Sequence, residues 1–359
     1  MPTASEAERD VERVGRVRRI LAVGRELRAP GTPLGQRARA ELLPTCGLSG
    51  PGLELALTQH LEASATDEEL RAFVSCAATR SACLVVLAAN VCTAALRAVA
   101  FGLATAPRVF VRPSRRDPAL ARILADVLHE VVLIDDVAVA ALEIDEAHLY
   151  GSDAALDAIA HTLPAHIHRL RHGSGMGLAL IDEGASLADA ASRVAADLVA
   201  FDGRGCLSPK VALVQGPRER TESFARALDG ELAMFGARVP RGELDAAARA
   251  ELTRFGGTMS AVGRVFSGSE HLVALDDEPR ALLLPPAHRA LTVVHASERV
   301  DEVVAPWLPF VTCIGADDAA RESSLGRRFS ASCPRARWAP LGAMQHPPFD
   351  GPVDLRAIA

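Results

Sequence analysis

Residues 83–113 read CLVVLAANVCTAALRAVAFGLATAPRVFVRP, and this stretch decides the fold. An uncharged run, CLVVLAAN, comes first and has the length and apolar character of a buried strand. TAALRAVAFGLA follows with a helix-like pattern, and RVFVRP gives a second short strand. Two parallel strands need a crossover connection of this kind, which is usually a helix. The stretch therefore predicts a strand–helix–strand unit in a parallel sheet.

The same alternation continues after this stretch. A helix is predicted over residues 117–130, with Asp117 as its cap and Pro118 at its first position. VVLID and EAHLYG are strand candidates, and the helix after them is capped by Ser152. The first 80 residues read as helices and loops, with Thr66 as one helix cap. Strands that alternate with helices predict an α/β fold, with helices on both faces of a parallel sheet.

A second series of strands and helices occupies the rest of the chain. GLALID, KVALVQG, HLVALDD, LTVVHAS and FVTCIGA have the character of buried strands, and SLADAASRVAADLVAF, ERTESFARALDGELAMF and DDAARESSLGRRFS that of helices. Two α/β lobes that share a cleft are therefore expected. We place the N-terminal helices and a doubly wound, Rossmann-like lobe of the nucleotide-binding type in residues 1–171, a second α/β lobe in residues 172–346 and a C-terminal tail in residues 347–359.

Composition argues against several classes of function. The chain is 49% hydrophobic, enough for a sizeable core, and its formal net charge of -6 argues against a nucleic-acid partner. Its most apolar stretch, residues 82–111, is interrupted by Arg97, Pro107 and Arg108, so no membrane span is expected. The cysteines include no C-x-x-C pair and the histidines of residues 161–172 fit no ligand spacing, so no metal site is expected. An odd cysteine count without a secretory signal favours a cytoplasmic location.

Cys206 stands in FDGRGCLSP, residues 201–209, between a predicted helix and a predicted strand. Gly203 and Gly205 leave the loop backbone bare, so its amides can point at a bound oxygen. Arg204 adds positive charge, which favours the reactive thiolate. A small apolar residue packed in a loop is the alternative interpretation. The flanking glycines and the position between two elements favour a nucleophile.

Two further candidates follow the first two predicted strands. Asn90 ends the first apolar run, at the carboxyl edge where ligands bind in open α/β sheets, and its amide can donate to an oxyanion. It could equally be the N-cap of the next helix. VRPSRRDP, residues 111–118, carries three arginines where the adenosine ribose of a dinucleotide lies in such folds. Arginines there suit the 2′-phosphate of NADP, and a solvated basic loop is the alternative.

RHGSGMG, residues 171–177, is the fourth candidate. It is rich in glycine but lacks the G-x-G-x-x-G pattern, so it is a weak phosphate-binding motif. His172 stands between a strand-like run and these glycines, and a histidine there could act as an acid or base near neutral pH.

Taken in order, Asn90, VRPS, LYGS, HGSG and GRGCLSP resemble the aldehyde dehydrogenase superfamily. More closely, they resemble the acyl-CoA reductase family that makes fatty aldehydes for bacterial luciferase, in which the nucleophile sits in a very similar GCLSP context. The similarity runs from about residue 82 to the C-terminus, and PRARWAPLGAMQHPPFDG is similar to the family's closing segment. The resemblance implies an aldehyde dehydrogenase-like α/β fold with the active site in the cleft between the two lobes.

The resemblance implies catalytic roles for three residues. Cys206 would be the nucleophile, and Asn90 would donate to the oxyanion beside the Cys206 backbone amide. His172 stands where many acid-forming dehydrogenases have a water-activating glutamate, in ELGG, and it would carry protons or, as the alternative, activate water. Without that glutamate, reduction of an acyl thioester is favoured over hydrolysis of the acyl-enzyme.

The resemblance also implies that NADP(H) is the cofactor. Arg112 and Ser114 would hold the adenosine ribose and its phosphate, and Gly151 and Ser152 would lie against the pyrophosphate. Aldehyde dehydrogenases usually carry lysine at the position of Arg112 and often an acid at the position of Arg115. Both differences favour NADP(H) over NAD(H).

The expected reaction is the NADPH-dependent reduction of an acyl-CoA or acyl-carrier thioester, with a fatty acyl chain, to the aldehyde. The partners that the resemblance implies are an acyl-transferase or synthetase subunit and a second copy of the chain. Two alternatives stay open. One is an aldehyde dehydrogenase that oxidises an aldehyde to an acid, and the other is a non-catalytic family member that serves as a complex subunit. The short N-terminal part, and Cys92 in place of a usual proline, motivate the second alternative.

Overall fold

The computed structural model describes residues 4–135, 142–276 and 278–358, with side chains from residue 8 onward. The described residues form two compact units. The first unit lies within Met1–Cys46, Leu53–Ser174 and Pro348–Ala359, and the second lies within Gly47–Gly52 and Gly175–Pro347. Within the described ranges, none of the helices has the length and apolar character needed to cross a membrane.

The first unit is built on a five-stranded sheet whose neighbouring strands are all parallel. Its strands are β1 (Ala82–Val86), β2 (Arg108–Arg112), β3 (Val131–Leu133), β4 (Glu146–Tyr150) and β5 (His168–His172). The order across the sheet is β3-β2-β1-β4-β5. The helices before and between these strands are α1 (Ala4–Arg28), α2 (Pro33–Leu42), α3 (Gly50–Leu55), α4 (Asp67–Cys76), α5 (Ala94–Thr105), α6 (Ala119–Val127) and α7 (Asp153–Ala160). A π-helical turn (Ala56–His60) follows α3.

Four strands of this sheet end nearly level. Val86 at the end of β1 lies opposite Arg112 of β2 and Leu149 of β4. Tyr150, the last residue of β4, lies opposite His172, the last residue of β5. The loops that follow these strands therefore leave the sheet at one carboxyl edge, which is where ligands bind in open α/β folds.

Helices cover both faces of the five-stranded sheet. Alternate residues of a strand point to opposite faces. Leu84 of β1 belongs to one apolar cluster with Leu156 of α7. Its neighbour Cys83 donates to the Gly102 carbonyl of α5 at 3.5 Å. Glycine is required there because a Cβ would lie 2.9 Å from the side chain of Val109, and this close approach seats α5 on the sheet.

Residues 348–358 return to the first unit. The buried guanidinium of Arg97 on α5 donates to the Pro348 carbonyl at 3.0 Å. The Phe349 ring stacks on Phe73 of α4, with centroids 4.4 Å apart. The end of the chain is thus fixed by a charged hydrogen bond and by apolar packing, and it closes in a short 3-10 turn.

The second unit contains a seven-stranded sheet in the order β12-β11-β6-β7-β10-β9-β8. Its strands are β6 (Met176–Ile181), β7 (Pro209–Val214), β8 (Arg264–Ser267), β9 (Leu272–Asp276), β10 (Ala290–His295), β11 (Val311–Gly315) and β12 (Arg337–Ala339). Its helices are α8 (Leu187–Val199), α9 (Arg218–Arg238), α10 (Ala246–Val262), α11 (Val300–Val304), α12 (Asp318–Glu322) and α13 (Ser324–Ser332), with 3-10 turns at Ala200–Gly203 and Ala305–Phe310. Only β8 pairs antiparallel among the described strands of this sheet.

Apolar side chains of the seven-stranded sheet form the core of the second unit. Leu178, Leu213 and Val294, on three adjacent strands, pack in one cluster with Val303 of α11 and Phe329 of α13. α8 and α9 pack against each other, and α9 also packs against β7, β9 and β10. The predicted α/β architecture, with a parallel sheet in the first unit, is confirmed.

Local sequence signals predicted several helix starts. The Thr66 side chain accepts from the Glu69 amide in a capping box at the start of α4. Ser152 caps α7, as predicted. The helix expected from Asp117 begins instead at Ala119, with Pro118 at its N-cap position.

Other sequence predictions differ from the structure in extent. The first strand ends at Val86, so Asn90 lies in the loop beyond it. The helix predicted for DDAARESSLGRRFS is two helices, because Ser323 takes an extended conformation and its hydroxyl caps α13. The strand-like run before the glycines of residues 173–177 is β5, whereas β8 and β12 were not predicted, and Asp277 of the predicted strand HLVALDD lies outside the described residues.

Candidate active site

Most of the predicted site residues lie at the carboxyl edge of the five-stranded sheet. The residues placed there are Asn90 after β1, Arg112 at the end of β2, Ser114 and Arg115 after β2, Gly151 and Ser152 after β4, and His172 at the end of β5. Backbone bonds join the strand ends: the Leu87 amide donates to the Arg112 carbonyl at 3.0 Å, and the Gly151 amide donates to the His172 carbonyl at 3.2 Å. Cys206, by contrast, belongs to the second unit.

Asn90 does not cap the helix that follows it. It is exposed in the loop after β1, and the N-cap position of α5 is occupied by Thr93. The interpretation of Asn90 as an N-cap is therefore wrong. Its role as an oxyanion donor stays a prediction, which its exposure at the carboxyl edge allows.

The loop after β2 presents arginine side chains at the same edge. Arg112 is partly buried and Arg115 is exposed. The Ser114 hydroxyl accepts a hydrogen bond from the Arg116 amide at 3.3 Å. Guanidinium groups form strong charge-assisted hydrogen bonds with phosphate, so this loop suits an anionic ligand.

Gly151 and Ser152 lead directly into α7. The Ser152 hydroxyl accepts from the Ala155 amide at 3.4 Å, so Ser152 fixes where the helix begins. A helix N-terminus carries partial positive charge and unpaired amides, which attract phosphate groups. The arginine loop and this helix start share one sheet edge, and the donors of both suit a ligand that carries phosphate groups.

His172 is almost completely buried at the end of β5, with 5% of its surface exposed. Its ring stacks on the Tyr150 ring, with centroids 4.1 Å apart and planes inclined by 4°. Neither ring nitrogen has a hydrogen-bond partner among the described residues. Burial and, to a smaller extent, the nearby His148 lower the pKa of His172 to about 3. The imidazole is therefore neutral at pH 7.

A buried hydrogen-bonded pair, Glu146 and His148, lies close to His172 and was missed by the sequence analysis. Glu146 and His148 are two residues apart on β4, so they share one face, and Nε2 of His148 lies 2.9 Å from Oε1 of Glu146. Arg80 lies 3.1 Å from the other carboxylate oxygen. Burial opposes ionisation of Glu146, but the bonds from His148 and Arg80 outweigh it and lower the pKa of the carboxyl group.

Cys206 occupies a tight turn between the 3-10 turn after α8 and strand β7. The Ser208 amide donates to the Gly205 carbonyl at 3.1 Å, which makes Cys206 and Leu207 the central residues of a β-turn. Cys206 is partly exposed, as reactive cysteines are. Cys76 is also partly exposed, whereas the remaining cysteines are buried: Cys46, Cys83, Cys92, Cys313 and Cys333.

Two side chains from distant parts of the sequence hold this turn. The Thr312 hydroxyl on β11 donates to the Cys206 carbonyl. Nε2 of Gln345 donates to the Ser208 hydroxyl at 3.2 Å, and Ser208 is completely buried. A partly exposed thiol on a turn fixed in this way can attack an electrophilic carbonyl without first ordering its own backbone.

Asp197 on α8 fixes the segment that carries Gln345. Its carboxylate oxygens accept from the amides of Gly342 at 2.7 Å and Met344 at 2.9 Å. Burial raises the pKa of Asp197 to about 7, against the opposing effect of these backbone donors. This carboxyl group therefore titrates near neutral pH in the folded protein.

The backbone just before Cys206 is strained. Phe201 and Asp202 have φ values of 53° and 54°, in the left-handed region that non-glycine residues rarely adopt. His288 and Arg289 share this conformation, with φ values of 72° and 63°. Such residues cost about 1–3 kcal/mol each and persist only where surrounding contacts over-determine them.

Lys210, the only lysine of the chain, lies just after the cysteine turn. Its ammonium group donates to the carbonyl oxygens of Gly203 at 3.0 Å and Pro286 at 3.1 Å. Burial lowers the pKa of Lys210 to about 8. The lysine thereby ties the strained segment before Cys206 to the segment before β10.

The residues that hold the Cys206 turn were not found by sequence analysis. Thr312 and Gln345 are more than one hundred residues from the residues they contact, and nothing in their local sequence marks them as site residues. The closing segment that contains Gln345 was noticed only for its resemblance. No local sequence signal predicts that Asp202 adopts a left-handed backbone conformation.

Comparison with known proteins was made by sequence and by structure. A family model described as acyl-CoA reductase (LuxC) matches residues 67–359. The long-chain acyl-protein thioester reductase of Vibrio harveyi is 26% identical over 239 residues, which are 61% of this chain and 49% of that protein. The chain thus spans about half the length of the curated relative that it matches.

Solved structures of aldehyde dehydrogenases share the fold. An aldehyde dehydrogenase of Mycobacterium tuberculosis complexed with NAD+ superposes with a TM-score of 0.66 at 14% identity, covering 91% of this chain and 77% of that one. The gamma-glutamyl-gamma-aminobutyraldehyde dehydrogenase of Burkholderia cenocepacia gives a TM-score of 0.63 at 15% identity, covering 91% and 76%. The aldehyde dehydrogenase-like fold predicted from the sequence is confirmed. Because the family model matches most of its length, the chain belongs to the acyl-CoA reductase (LuxC) family.

Proposed function

We propose that this protein reduces an acyl thioester, a fatty acyl-CoA, to the aldehyde with NADPH, through a covalent acyl-cysteine at Cys206. The observation that carries the proposal is the Cys206 turn: a partly exposed thiol on a backbone held by a buried serine and by long-range hydrogen bonds. The family match over residues 67–359 supports the acyl substrate.

In the first half of the reaction, the Cys206 thiolate attacks the carbonyl carbon of the substrate. The carbon–sulfur bond to CoA breaks, and CoA leaves as the thiolate. Asn90 and the Cys206 amide donate to the oxyanion, as the resemblance to aldehyde dehydrogenases implies. Removing one donor of this kind typically costs about 3 kcal/mol of transition-state stabilisation.

In the second half, the acyl-cysteine becomes a thiohemiacetal. NADPH, when bound, supplies the hydride for the acyl carbon. The thiohemiacetal then collapses: its carbon–sulfur bond breaks, the Cys206 thiolate is regenerated and the aldehyde leaves. Arg112, Ser114 and Arg115 would hold the adenosine ribose and its phosphate, and Gly151 and Ser152 would receive the pyrophosphate at the start of α7.

His172 supports the reductive direction. An oxidising enzyme needs a base that activates water to hydrolyse its acyl-cysteine. A histidine with a pKa of about 3 is a weak base at neutral pH, and its ring is stacked and buried rather than open to water. The role of His172 as a proton carrier stays a prediction, and the pH dependence of kcat can test it.

The acyl donor and the partners also belong to the proposal. The Vibrio harveyi relative is named for acyl groups carried on protein. An acyl-carrier thioester, or an acyl-transferase or synthetase subunit that hands over the acyl group, would therefore be an equivalent donor. We also propose a cytoplasmic location and a homo-oligomer, as the resemblance implies.

The experiment is NADPH oxidation measured against acyl-CoAs of increasing chain length, with Cys206→Ser as the control. We expect NADPH consumption with stoichiometric aldehyde, and none in the variant while its circular dichroism stays unchanged. Release of free acid without NADPH consumption would favour the aldehyde-oxidising alternative. Normal turnover by Cys206→Ser would refute the assignment of the nucleophile.

A further inference from the structure

A buried ion pair stands immediately before the Cys206 turn. Arg289 is 1% exposed and Asp202 is 2% exposed. Nε of Arg289 donates to Oδ1 of Asp202 at 2.8 Å, and a terminal nitrogen of Arg289 lies 2.7 Å from the same oxygen. The other terminal nitrogen of Arg289 donates to the Val239 carbonyl at 2.8 Å. Both charges are therefore out of water and oriented by several bonds.

Asp202 uses its backbone as well as its side chain. Its carbonyl oxygen accepts from the amides of His288 at 2.8 Å and Arg289 at 3.2 Å. Its second carboxylate oxygen accepts from the Gly242 amide at 3.0 Å. Asp202 is thus the point at which three separate segments of the second unit meet.

The strain of this unit is concentrated at the same point. Among the described residues, the non-glycine residues with left-handed φ are Phe201, Asp202, His288 and Arg289. The ion pair and the two backbone bonds join one strained pair to the other. Strained backbone persists where surrounding contacts hold it, and it clusters at functional sites. Only residues 203–205 lie between Asp202 and Cys206, so the conformation held here sets the entry of the chain into the cysteine turn.

We propose that the Asp202–Arg289 ion pair is a positioning device for Cys206. The pair holds the left-handed segment before the turn, and through it the orientation of the Cys206 thiol. This inference rests on the proposed role of Cys206 as the nucleophile. Asp202 and Arg289 are positioning residues, since they act through the backbone of residues 203–205. A loss of position of about 1 Å can cost about 100-fold in rate.

Two substitutions test the role of the ion pair separately from that of the strained backbone. Asparagine adopts left-handed backbone more readily than most residues, so Asp202→Asn keeps the conformation available and removes the charge. Arg289→Lys keeps the charge but loses the planar fork that contacts Asp202 and Val239 together. The matched control is Ser323→Ala in the same unit, which removes the N-cap of α13 and destabilises the unit without touching this segment.

The experiment has two readouts on samples that circular dichroism and proteolysis show to be folded. The first is kcat and KM for NADPH. The second is the rate of Cys206 alkylation by iodoacetamide from pH 6 to 9, followed on the Cys206 peptide by mass spectrometry. We expect Asp202→Asn to lower kcat by about 10- to 100-fold, with KM for NADPH within about twofold and with slower alkylation over the whole pH range. Arg289→Lys should show a smaller loss in the same direction.

The control variant should match the wild type in kcat and in alkylation, although it unfolds at a lower temperature. Wild-type kcat and alkylation in a folded Asp202→Asn or Arg289→Lys protein would overturn the inference. If Asp202→Asn does not fold, Arg289→Lys decides the question alone. The alkylation assay needs no turnover. If the wild type reduces no acyl-CoA and Asp202→Asn is still alkylated more slowly than the wild type, the result would support positioning and would refute the proposed function.

Discussion

Tyr150 and His172 stack face to face at the carboxyl edge of the five-stranded sheet, with ring centroids 4.1 Å apart. The strand register explains the contact, because the two residues lie opposite each other at the ends of neighbouring parallel strands. The stack buries an imidazole whose nitrogens have no partner among the described residues. A histidine in this environment stays neutral, and this has consequences that can be measured.

The first prediction concerns stability in acid. His172 has a pKa of about 3 in the folded protein and about 6.5 in the unfolded chain, so below pH 6.5 only the unfolded chain takes up the proton. The stability that His172 contributes is complete above pH 6.5 and falls as the pH decreases towards 3. At pH 5 the loss is about 2 kcal/mol. His172→Phe, which keeps a ring on Tyr150, should remove this loss in urea unfolding at pH 7.5 and 5.0.

The exposed His166 provides the control, since His166→Ala should leave the pH dependence of unfolding unchanged. An equal loss of stability in acid for His172→Phe and the wild type would contradict the burial argument. The same variant tests the proton-carrier role. If His172 carries protons during turnover, its removal lowers kcat and changes the pH profile of kcat. If the ring only packs, kcat and its profile stay as in the wild type.

The second prediction concerns Asp197. Its pKa is raised to about 7 in the folded protein, so between about pH 4 and pH 7 the folded protein binds a proton that the unfolded chain has lost. The contribution of Asp197 to the unfolding free energy therefore falls as the pH rises through this range and is constant above it, opposite in sign to that of His172. Asp197→Asn removes this pH dependence. It also places an amide N–H against one of the two backbone amides that donate to the carboxylate in the wild type.

The variant should be less stable than the wild type at every pH, and the difference in unfolding free energy should narrow by about 3 kcal/mol between pH 5 and pH 8. Chemical unfolding of both proteins at pH 5 and pH 8 measures this difference. A gap that is the same at pH 5 and pH 8 would show that Asp197 is already ionised at pH 5.

The third prediction concerns the cofactor. Arg115→Glu replaces a guanidinium by the kind of side chain that accepts the ribose hydroxyl of NAD. A hydrogen bond to a charged group is worth about 1.5–3 kcal/mol, so KM for NADPH should rise about tenfold or more while KM for NADH changes little. The neighbouring exposed Arg116 belongs to the same arginine-rich segment but is not among the residues proposed to hold the cofactor, so Arg116→Glu provides the matched control. Equal increases of KM for NADPH in the two variants would show that Arg115 contributes only general positive charge.

The fourth prediction concerns the end of the chain. Arg97 binds Glu62 at 2.9 Å and the carbonyls of Pro348 and Gly351 at 3.0 and 3.3 Å, and it is 2% exposed. Arg97→Met leaves the carboxylate and both carbonyls without their donor, at a cost of about 3 kcal/mol. We expect a lower Tm and faster trypsin cleavage at Arg356. Arg71→Met, on the exposed face of α4, should change neither the Tm nor the cleavage rate.

The fold could be predicted from sequence where the signals are local. The apolar runs of β1 and β2 and the Ser152 and Thr66 caps each act within a few residues, and each appears in the structure, although β1 is shorter than predicted. β12 was missed because it is an edge strand of three residues, RWA, which is too short to show a strand pattern. The break at Ser323 was missed because the helical pattern continues on both sides of it.

The candidate site was only partly predictable, for a physical reason. Asn90, Arg112 and Gly151 could be placed at one edge because parallel strands end together. The partners of the Cys206 segment could not, since Arg289 lies 87 residues from Asp202 and Thr312 lies 106 residues from Cys206. Contacts between residues so far apart in the sequence depend on the order of the strands in the sheet, which sequence patterns do not predict.

The capture of an acyl group by Cys206 is tested most directly by mass spectrometry. The protein is incubated with a long-chain acyl-CoA without NADPH, digested and mapped, alongside Cys206→Ser and Cys76→Ser, the latter replacing the other partly exposed cysteine. We predict one acyl group on the Cys206 peptide of the wild type and of Cys76→Ser, discharged as aldehyde when NADPH is added. An acyl group that remains on Cys206→Ser, or that never forms on the wild type, would contradict the account.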